Sequence, residues 1–303
     1  MTEILVVGSV ALDTIHTPVG SHESLLGGSA SYFSLASSLY VPVRVVAVVG
    51  EDFLPRHREI FAGRRIDLGG LQVAEGKTFH WEGVYTADMN ERTTVRTDLN
   101  VFESFHPVLP SSYLQTGSVF LANIDPPLQE EVLDQLDAPS LVALDTMNYW
   151  INNRREELLR VLHRVHLFLL NDSEARELTG AENILKAAEG IQMMGPSIVV
   201  IKRGEFGALA CTDGGWFSLP AYPVEGLKDP TGAGDAFAGG MLGYLSRRGT
   251  IDEAGIRTAM AHGTAVASFA VEEFGVEGLL RADEDQVLER VRTLAAMTRF
   301  DPE

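Results

Sequence analysis

One stretch decides how this chain folds: Asp229-Pro230-Thr231-Gly232-Ala233-Gly234-Asp235, followed by Ala236-Phe237-Ala238-Gly239-Gly240-Met241-Leu242-Gly243-Tyr244-Leu245. A Gly-Ala-Gly turn runs straight into an apolar stretch with helical spacing, which predicts a helix with Asp235 in its first turn. Small residues leave consecutive backbone N–H groups uncovered, and the helix start adds the positive end of its dipole. Such a turn holds an anion, and holds it best when negative charge grows during reaction. The dipole is expected to keep Asp235 ionised, so that it can take a proton from a hydroxyl. A lone Gly-x-Gly before a helix would be an ordinary capped turn. Two aspartates bracketing Pro-Thr-Gly-Ala-Gly, ahead of a small-residue helix, point instead to phosphate chemistry.

Outward from that turn, short β-rich apolar runs alternate with helical patterns. Residues 4–7, 43–49, 119–122, 141–145, 167–171 and 198–202 read as buried parallel strands. Helices are expected at 29–39, 129–136, 154–162 and 184–193. The alternation predicts a mostly parallel sheet with helices on both faces, an α/β fold whose ligands sit beyond the carboxyl ends of the strands. Two segments depart from it. Residues 13–24 are polar and turn-rich, and 77–103 alternate with period two: Phe79, Trp81, Gly83 and Tyr85 on one face, His80, Glu82 and Val84 on the other. These read as a small antiparallel sheet projecting as a lid, or as a peripheral hairpin.

The 303 residues, 45% apolar and 22% charged, have the make-up of a soluble globular protein. The single cysteine excludes an intrachain disulfide and suits a reducing compartment, and Cys211 reads as a buried thiol. A formal charge of −18 repels phosphate backbones, which argues against nucleic acid as a partner. The start, from Met1 to Gly8, is acidic and strand-like without a basic leader, and no apolar run approaches the roughly 18–20 residues of a membrane span. A cytoplasmic protein with no membrane partner is expected. Neither a Gly-x-x-x-x-Gly-Lys-Ser/Thr motif nor a Gly-x-Gly-x-x-Gly after the first strand is present, which disfavours a dehydrogenase.

The 229–235 stretch resembles the Asp-Thr-x-Gly-Ala-Gly-Asp signature of the PfkB (ribokinase-like) carbohydrate kinases, with Pro230 in place of the usual Thr. The likeness spans the chain, in order. Gly8 to Asp13 is similar to the family's first strand and substrate aspartate, and Leu26-Gly27-Gly28-Ser29-Ala30 to its Gly-Gly signature. Asn171-Asp172-Ser173-Glu174 matches Asn-x-x-Glu, and Lys202-Arg203-Gly204-Glu205-Phe206-Gly207 resembles the strand-turn-strand beside the nucleotide.

The resemblance implies one ribokinase-like domain over 1–303, a three-layer sandwich with the lid segments within it. It implies an ATP-dependent kinase that phosphorylates a hydroxyl of a small sugar or polyol. Asp235 would be the base, and the amides of Gly232, Ala233 and Gly234 the anion hole. Asp13, Gly27, Gly28 and Tyr32 would meet the substrate, and Lys202, Gly204, Gly207, Thr231, Asn171 and His262 the nucleotide. Glu174 with Asn171 would organise Mg²⁺ through water, and Asp229, with the Glu273-Phe274-Gly275 turn, a monovalent cation such as K⁺. On the residues alone, Asn171–Glu174 is equally a helix capping box. The family usually has an asparagine within its Gly-Gly motif, near which Tyr32 stands here instead, and Ala11 occupies a place often held by a polar residue. The acceptor therefore stays open, with a nucleoside as the alternative and a non-catalytic sugar- or nucleotide-binding protein as the next. Trp81, Tyr85, Asn90, Arg92 and Arg96 would cover the acceptor, and lid sheets could pair two copies into a homodimer.

Overall fold

The computed structural model describes residues 3–301; residues 1–2 and 302–303, the outer ends of the 1–303 reading and the first two residues of the strand-like start, lie outside the described residues. In chain order the strands are β1 (Ile4–Val7), β2 (Ala11–Thr17), β3 (Gly20–Gly27), β4 (Val43–Val49), β5 (Ile66–Val73), β6 (Phe79–Tyr85) and β7 (Arg92–Asp98). They continue as β8 (Ser118–Leu121), β9 (Leu141–Asp145), β10 (Leu167–Asn171), β11 (Ile198–Lys202), β12 (Ala208–Thr212) and β13 (Gly215–Leu219). The first helices are α1 (Ser29–Ser37), α2 (Pro55–Ala62), α3 (Pro126–Gln135), α4 (Asn148–Asn153), α5 (Arg155–Leu162) and α6 (Asp172–Thr179). The rest are α7 (Ile184–Gln192), α8 (Ala233–Arg248), α9 (Glu253–Ala270), α10 (Glu277–Arg281) and α11 (Glu284–Thr298).

Nine strands form the body sheet in the order β13-β12-β11-β10-β9-β8-β1-β4-β5, parallel from β11 to β5 with β12 and β13 antiparallel at one edge. The alternation of strand side chains divides its core in two. Ile4 and Val6 pack with α1, α8 and α9, and Leu5 and Val7 pack with α3, α5, α6 and α7 on the opposite face. A sheet buried on both faces needs continuous aliphatic strands, which is why those runs were legible. The order reverses at β1, so the crevice beyond its carboxyl end is where a ligand belongs.

Helix α8 is drawn deep into one layer by its small residues. A Cβ on Gly239 would lie 2.5 Å from the Phe33 carbonyl oxygen of α1, and one on Gly240 would lie 2.9 Å from Val266 Cβ of α9. This close packing fixes where its N-terminus points.

The lid is a four-stranded sheet, β3-β2-β6-β7. Residues 13–24, polar in sequence, belong to the β2–β3 hairpin, and a parallel β2–β6 pair joins that hairpin to the antiparallel β6–β7 pair. Register then sorts the side chains. Asp13 pairs with Trp81, Gly83 with Thr94 and Tyr85 with Arg92, which places all of these on one face. Glu82 pairs with Arg96 and His80 with Asp98 on the other, where Arg96 forms a 2.7 Å ion pair with Asp98. The bulge at Glu82/Gly83 therefore separates Arg92 from Arg96.

Among the described residues no helix is long and apolar enough to cross a membrane. Cys211 is buried and contacts Gln192 Oε1 at 2.9 Å.

Candidate active site

The 229–235 turn lies at the N-terminus of α8. Gly232 occupies the cap position with φ of 73°, and a Cβ there would sit 2.3 Å from the Tyr32 ring, so glycine is required both by conformation and by space. Among the described residues the amides of Gly232 and Gly234 have no protein acceptor. The Ala233 amide instead turns back to the Pro230 carbonyl at 3.3 Å, so it is less free for an anion than its neighbours.

Asp229 is fully buried and joins two turns: its Oδ1 accepts from the Thr231 amide and its Oδ2 from the Gly275 amide, each at 2.9 Å. Burial raises its pKa, opposed by the Thr231 and Gly275 hydrogen bonds.

Asp235, expected from the dipole to be fully ionised, behaves differently. Burial, then the Asp145 carboxylate, raise its pKa to about 7, while Lys202 and Arg92 oppose the rise. Desolvation, with the added repulsion of the Asp145 carboxylate, outweighs the dipole. Asp145, at the end of β9, is a residue the sequence reading missed. Its Oδ2 accepts from Lys202 Nζ at 2.8 Å. The signal was present: an acid closing a buried strand at the carboxyl end of the sheet needs a partner. Burial would lower the pKa of Lys202, but Asp145 and Glu174 hold it above its ordinary value. A Cβ on Gly234 would lie 3.2 Å from Lys202 Nζ, so the ammonium stands against the anion turn.

Asn171 and Glu174 form a true capping box at α6. Asn171 Oδ1 accepts from the Glu174 amide at 2.8 Å and Glu174 Oε2 accepts from the Asn171 amide at 2.7 Å. Glu174 is nonetheless buried, with its pKa raised by desolvation and then by Asp145. The cap explains its position, and the neighbouring acids and Lys202 give it electrostatic weight.

Asp13 lies on β2 and is buried. Burial, then Asp229, raise its pKa to about 8, against a hydrogen bond from the Gly28 amide. Its Oδ1 has no hydrogen-bond partner. A Cβ on Gly27 would lie 1.9 Å from Asp13 Oδ2, so only glycine lets β3 pass this carboxylate. Gly28 is held near by a Ser9–Ser29 pair, with the Ser29 amide donating to Ser9 Oγ at 3.1 Å. Tyr32 is 1% exposed, with its hydroxyl unpartnered and its pKa raised by burial and by Asp229, Asp13, Tyr85 and Asp235.

The lid touches the body at both ends of this cluster. Tyr85 OH meets Thr231 Oγ1 at 2.9 Å, and Asn90 Nδ2 donates to Glu205 Oε1 at 3.1 Å. Glu205 belongs to the 3-10 turn Gly204–Phe206, which Gly207 ends between β11 and β12. His262 does not join these residues. Its Nδ1 pairs with Tyr40 OH at 3.0 Å and its ring stacks on Tyr244 at 4.2 Å, inside the helix layer. Burial lowers its pKa to about 4, so it is a neutral core histidine, and the expectation that it contacts adenine is corrected.

An uncovered amide turn on a helix N-terminus, a buried carboxylate in the same first turn and a lysine against the turn have the chemistry that phosphoryl transfer needs, on a ribokinase-type fold. The chain belongs to the pfkB family of carbohydrate kinases, whose model matches residues 1–282. It is 32% identical over 259 residues to a cytidine kinase from Thermococcus kodakarensis, covering 84% of this chain and 92% of that one. An aminoimidazole riboside kinase from Salmonella typhimurium is 26% identical over 292 residues, 91% of each chain. The crystal structure of the Methanocaldococcus jannaschii nucleoside kinase superposes with a TM-score of 0.78 at 21% identity, covering 97% of this chain and 99% of that one. The protein is an ATP-dependent kinase with a small-molecule hydroxyl as acceptor.

Proposed function

We propose that the acceptor is a ribonucleoside and that Asp235 is the base. The observation that carries this reading is Asp13, buried with a partnerless Oδ1 on the lid face that also bears Trp81. An unmet buried acceptor costs roughly 1–3 kcal/mol, which a sugar hydroxyl would relieve. Trp81 offers an aromatic surface for a base on the same face, and Tyr32 adds a hydroxyl without a partner. The relatives aligned over most of this chain are named for nucleosides or a riboside, which supports the same choice.

In this mechanism Asp13 orients the ribose and its primary hydroxyl approaches Asp235. A base with a conjugate acid near 7 takes up the proton more readily than an ordinary aspartate, and remains part-ionised at neutral pH. The Gly232 and Gly234 amides, with Ala233 beside them, stabilise the charge on the transferred group. Lys202 and the Gly204–Gly207 turn flank the nucleotide phosphates, with Asp145 holding the lysine in place.

Among the described residues no group of three or more His, Cys, Asp or Glu side chains would hold a metal. Mg²⁺ would be carried mainly by ATP phosphates and water, with Glu174 and Asn171 touching its water shell. When bound, Mg²⁺ neutralises phosphate charge. Asp229 and the Gly275 turn are the place for K⁺. The whole chain acts as one catalytic unit in the cytoplasm, with no nucleic-acid or membrane partner. The lid edges, with Val19 and Val95 more than half exposed, are the surface for pairing two copies. A potassium titration and light scattering test these last two points.

A small sugar or polyol is the second reading, since Asp13 would hold its diol equally well. A panel of cytidine, inosine, adenosine, ribose, fructose and myo-inositol with Mg·ATP separates them. Higher kcat/KM for a nucleoside supports the proposal, and preference for free ribose, fructose or inositol overturns it. No ATP turnover with any alcohol would favour a binding protein.

A further inference from the structure

We infer that Tyr85, on the lid, is a positioning residue that aims the anion turn: its hydroxyl holds Thr231, and through Thr231 the direction of the Gly232 amide. That role rests on the reading of the Gly232 and Gly234 amides as the site of the transferred phosphoryl group.

The turn needs such a holder. The Gly232 N–H lies in the peptide plane it shares with the Thr231 carbonyl, so its direction follows the backbone of Thr231. Gly232 itself, left-handed at φ of 73°, has no side chain with which to fix its conformation. The Tyr32 ring bounds it on one side, where a Cβ would lie 2.3 Å away. On the other side Thr231 is held twice. Its amide donates to Asp229 Oδ1 and its Oγ1 meets Tyr85 OH, each at 2.9 Å. A threonine is stiff at χ1, so a tie at Oγ1 constrains the backbone as well.

Tyr85 suits this contact. It closes β6 and is 7% exposed, on a sheet whose outer strand β7 is almost wholly exposed. A buried phenol hydroxyl takes a partner, and this one takes it from the body and not from the lid. A second lid strand meets the same region. His22 of β3 packs on Phe274 with ring centres 4.1 Å apart, and Phe274 precedes Gly275, whose amide donates to Asp229 Oδ2. Each of the two turns that Asp229 joins is therefore touched by a lid strand.

Asp13 shares a lid face with Tyr85. One lid pose thus seats Asp13 at the proposed acceptor site and aims the turn that receives the phosphoryl group. A lid displaced from the body leaves the Gly232 amide free to turn, which ties transfer to a covered acceptor.

The test uses full-length Tyr85→Phe, Thr231→Val, Thr231→Ser and the double variant of the first two, each checked for a wild-type melting profile. With Mg·ATP and the best acceptor of the panel, Tyr85→Phe and Thr231→Val should each lower kcat by about tenfold or more while acceptor KM changes by about threefold or less. Thr231→Ser, which keeps the hydroxyl, should regain most of the turnover that Thr231→Val loses. Both variants cut the same tie, so the double variant should be no more than about threefold slower than the slower single one. Affinity for ADP with aluminium fluoride, a mimic of the transferred group, should fall about as far as kcat, with ATP affinity within about threefold. A kcat near wild type in Tyr85→Phe, a loss confined to KM, or losses that multiply in the double variant would overturn the role. Should Thr231→Val melt early, Tyr85→Phe with the mimic decides alone. Gly234→Ala tests the underlying reading separately. A fast Gly234→Ala defeats the anion turn itself, whereas a slow Gly234→Ala beside a fast Tyr85→Phe defeats only the tyrosine.

Discussion

The two sheets of this molecule are built on opposite rules. The body sheet is aliphatic and buried on both faces, and it presents its chemistry at strand ends, through backbone amides and a few buried charges. The lid sheet is thin and largely exposed, and it carries its chemistry on side chains along one face, Asp13, Trp81, Tyr85 and Arg92. The difference assigns different tasks. On the proposed reading, the phosphate-binding turn is tied to packing that cannot change without disturbing the core. On the same reading, acceptor choice would rest on lid side chains that can change while the fold stays intact.

The largest effect should come from the body. Asp235→Asn is expected to lower kcat by roughly 10³-fold or more, with ATP affinity retained, as removal of the base requires. Near-wild-type turnover would break the comparison at its strongest point. On the lid side, Asp13→Asn should reduce kcat/KM by about 100-fold, because the amide puts an NH2 donor where the carboxyl group has a second oxygen for a diol. Trp81→Ala should cost about tenfold in kcat/KM for a nucleoside and little for free ribose, the loss expected of one aromatic contact. An equal loss on both would remove Trp81 from base recognition.

The acid cluster also sets a pH dependence. Asp13 and Asp235 have pKa values raised from 3.8 to about 8 and about 7. With the folded value above the unfolded one, their stabilising contribution is complete below about pH 4 and is lost as pH rises through about 7–8. The ligand-free protein should therefore melt progressively lower across that window, and Asp13→Asn should flatten the fall. The smallest functional effect belongs to the helix layer. His262→Gln should lower stability by about 1 kcal/mol through the Tyr40 hydrogen bond, leaving kcat within about twofold.

The same contrast explains what could be read from the chain alone. Runs such as Ile4–Val7 and Ile198–Lys202 announce themselves because a doubly buried strand must be apolar throughout. Gly232 was legible because nothing larger fits a left-handed cap against Tyr32. The β2–β3 hairpin was not, since an exposed strand such as Gly20–Gly27 reads as polar turn. Asp145 escaped because its partner, Lys202, is 57 positions away and only the fold brings them together. His262 misled for the converse reason: its tyrosine partner is distant in sequence, so a core residue looked available for a ligand.

The most direct test of the account is where the phosphoryl group goes. Phosphorus NMR of a reaction containing cytidine and Mg·ATP reads the position of the new ester. With the ribose diol at Asp13 and the primary hydroxyl at Asp235, the account predicts a single 5′-monophosphate. Phosphate on the 2′- or 3′-oxygen, or cytidine left unchanged while ribose is phosphorylated, would contradict it.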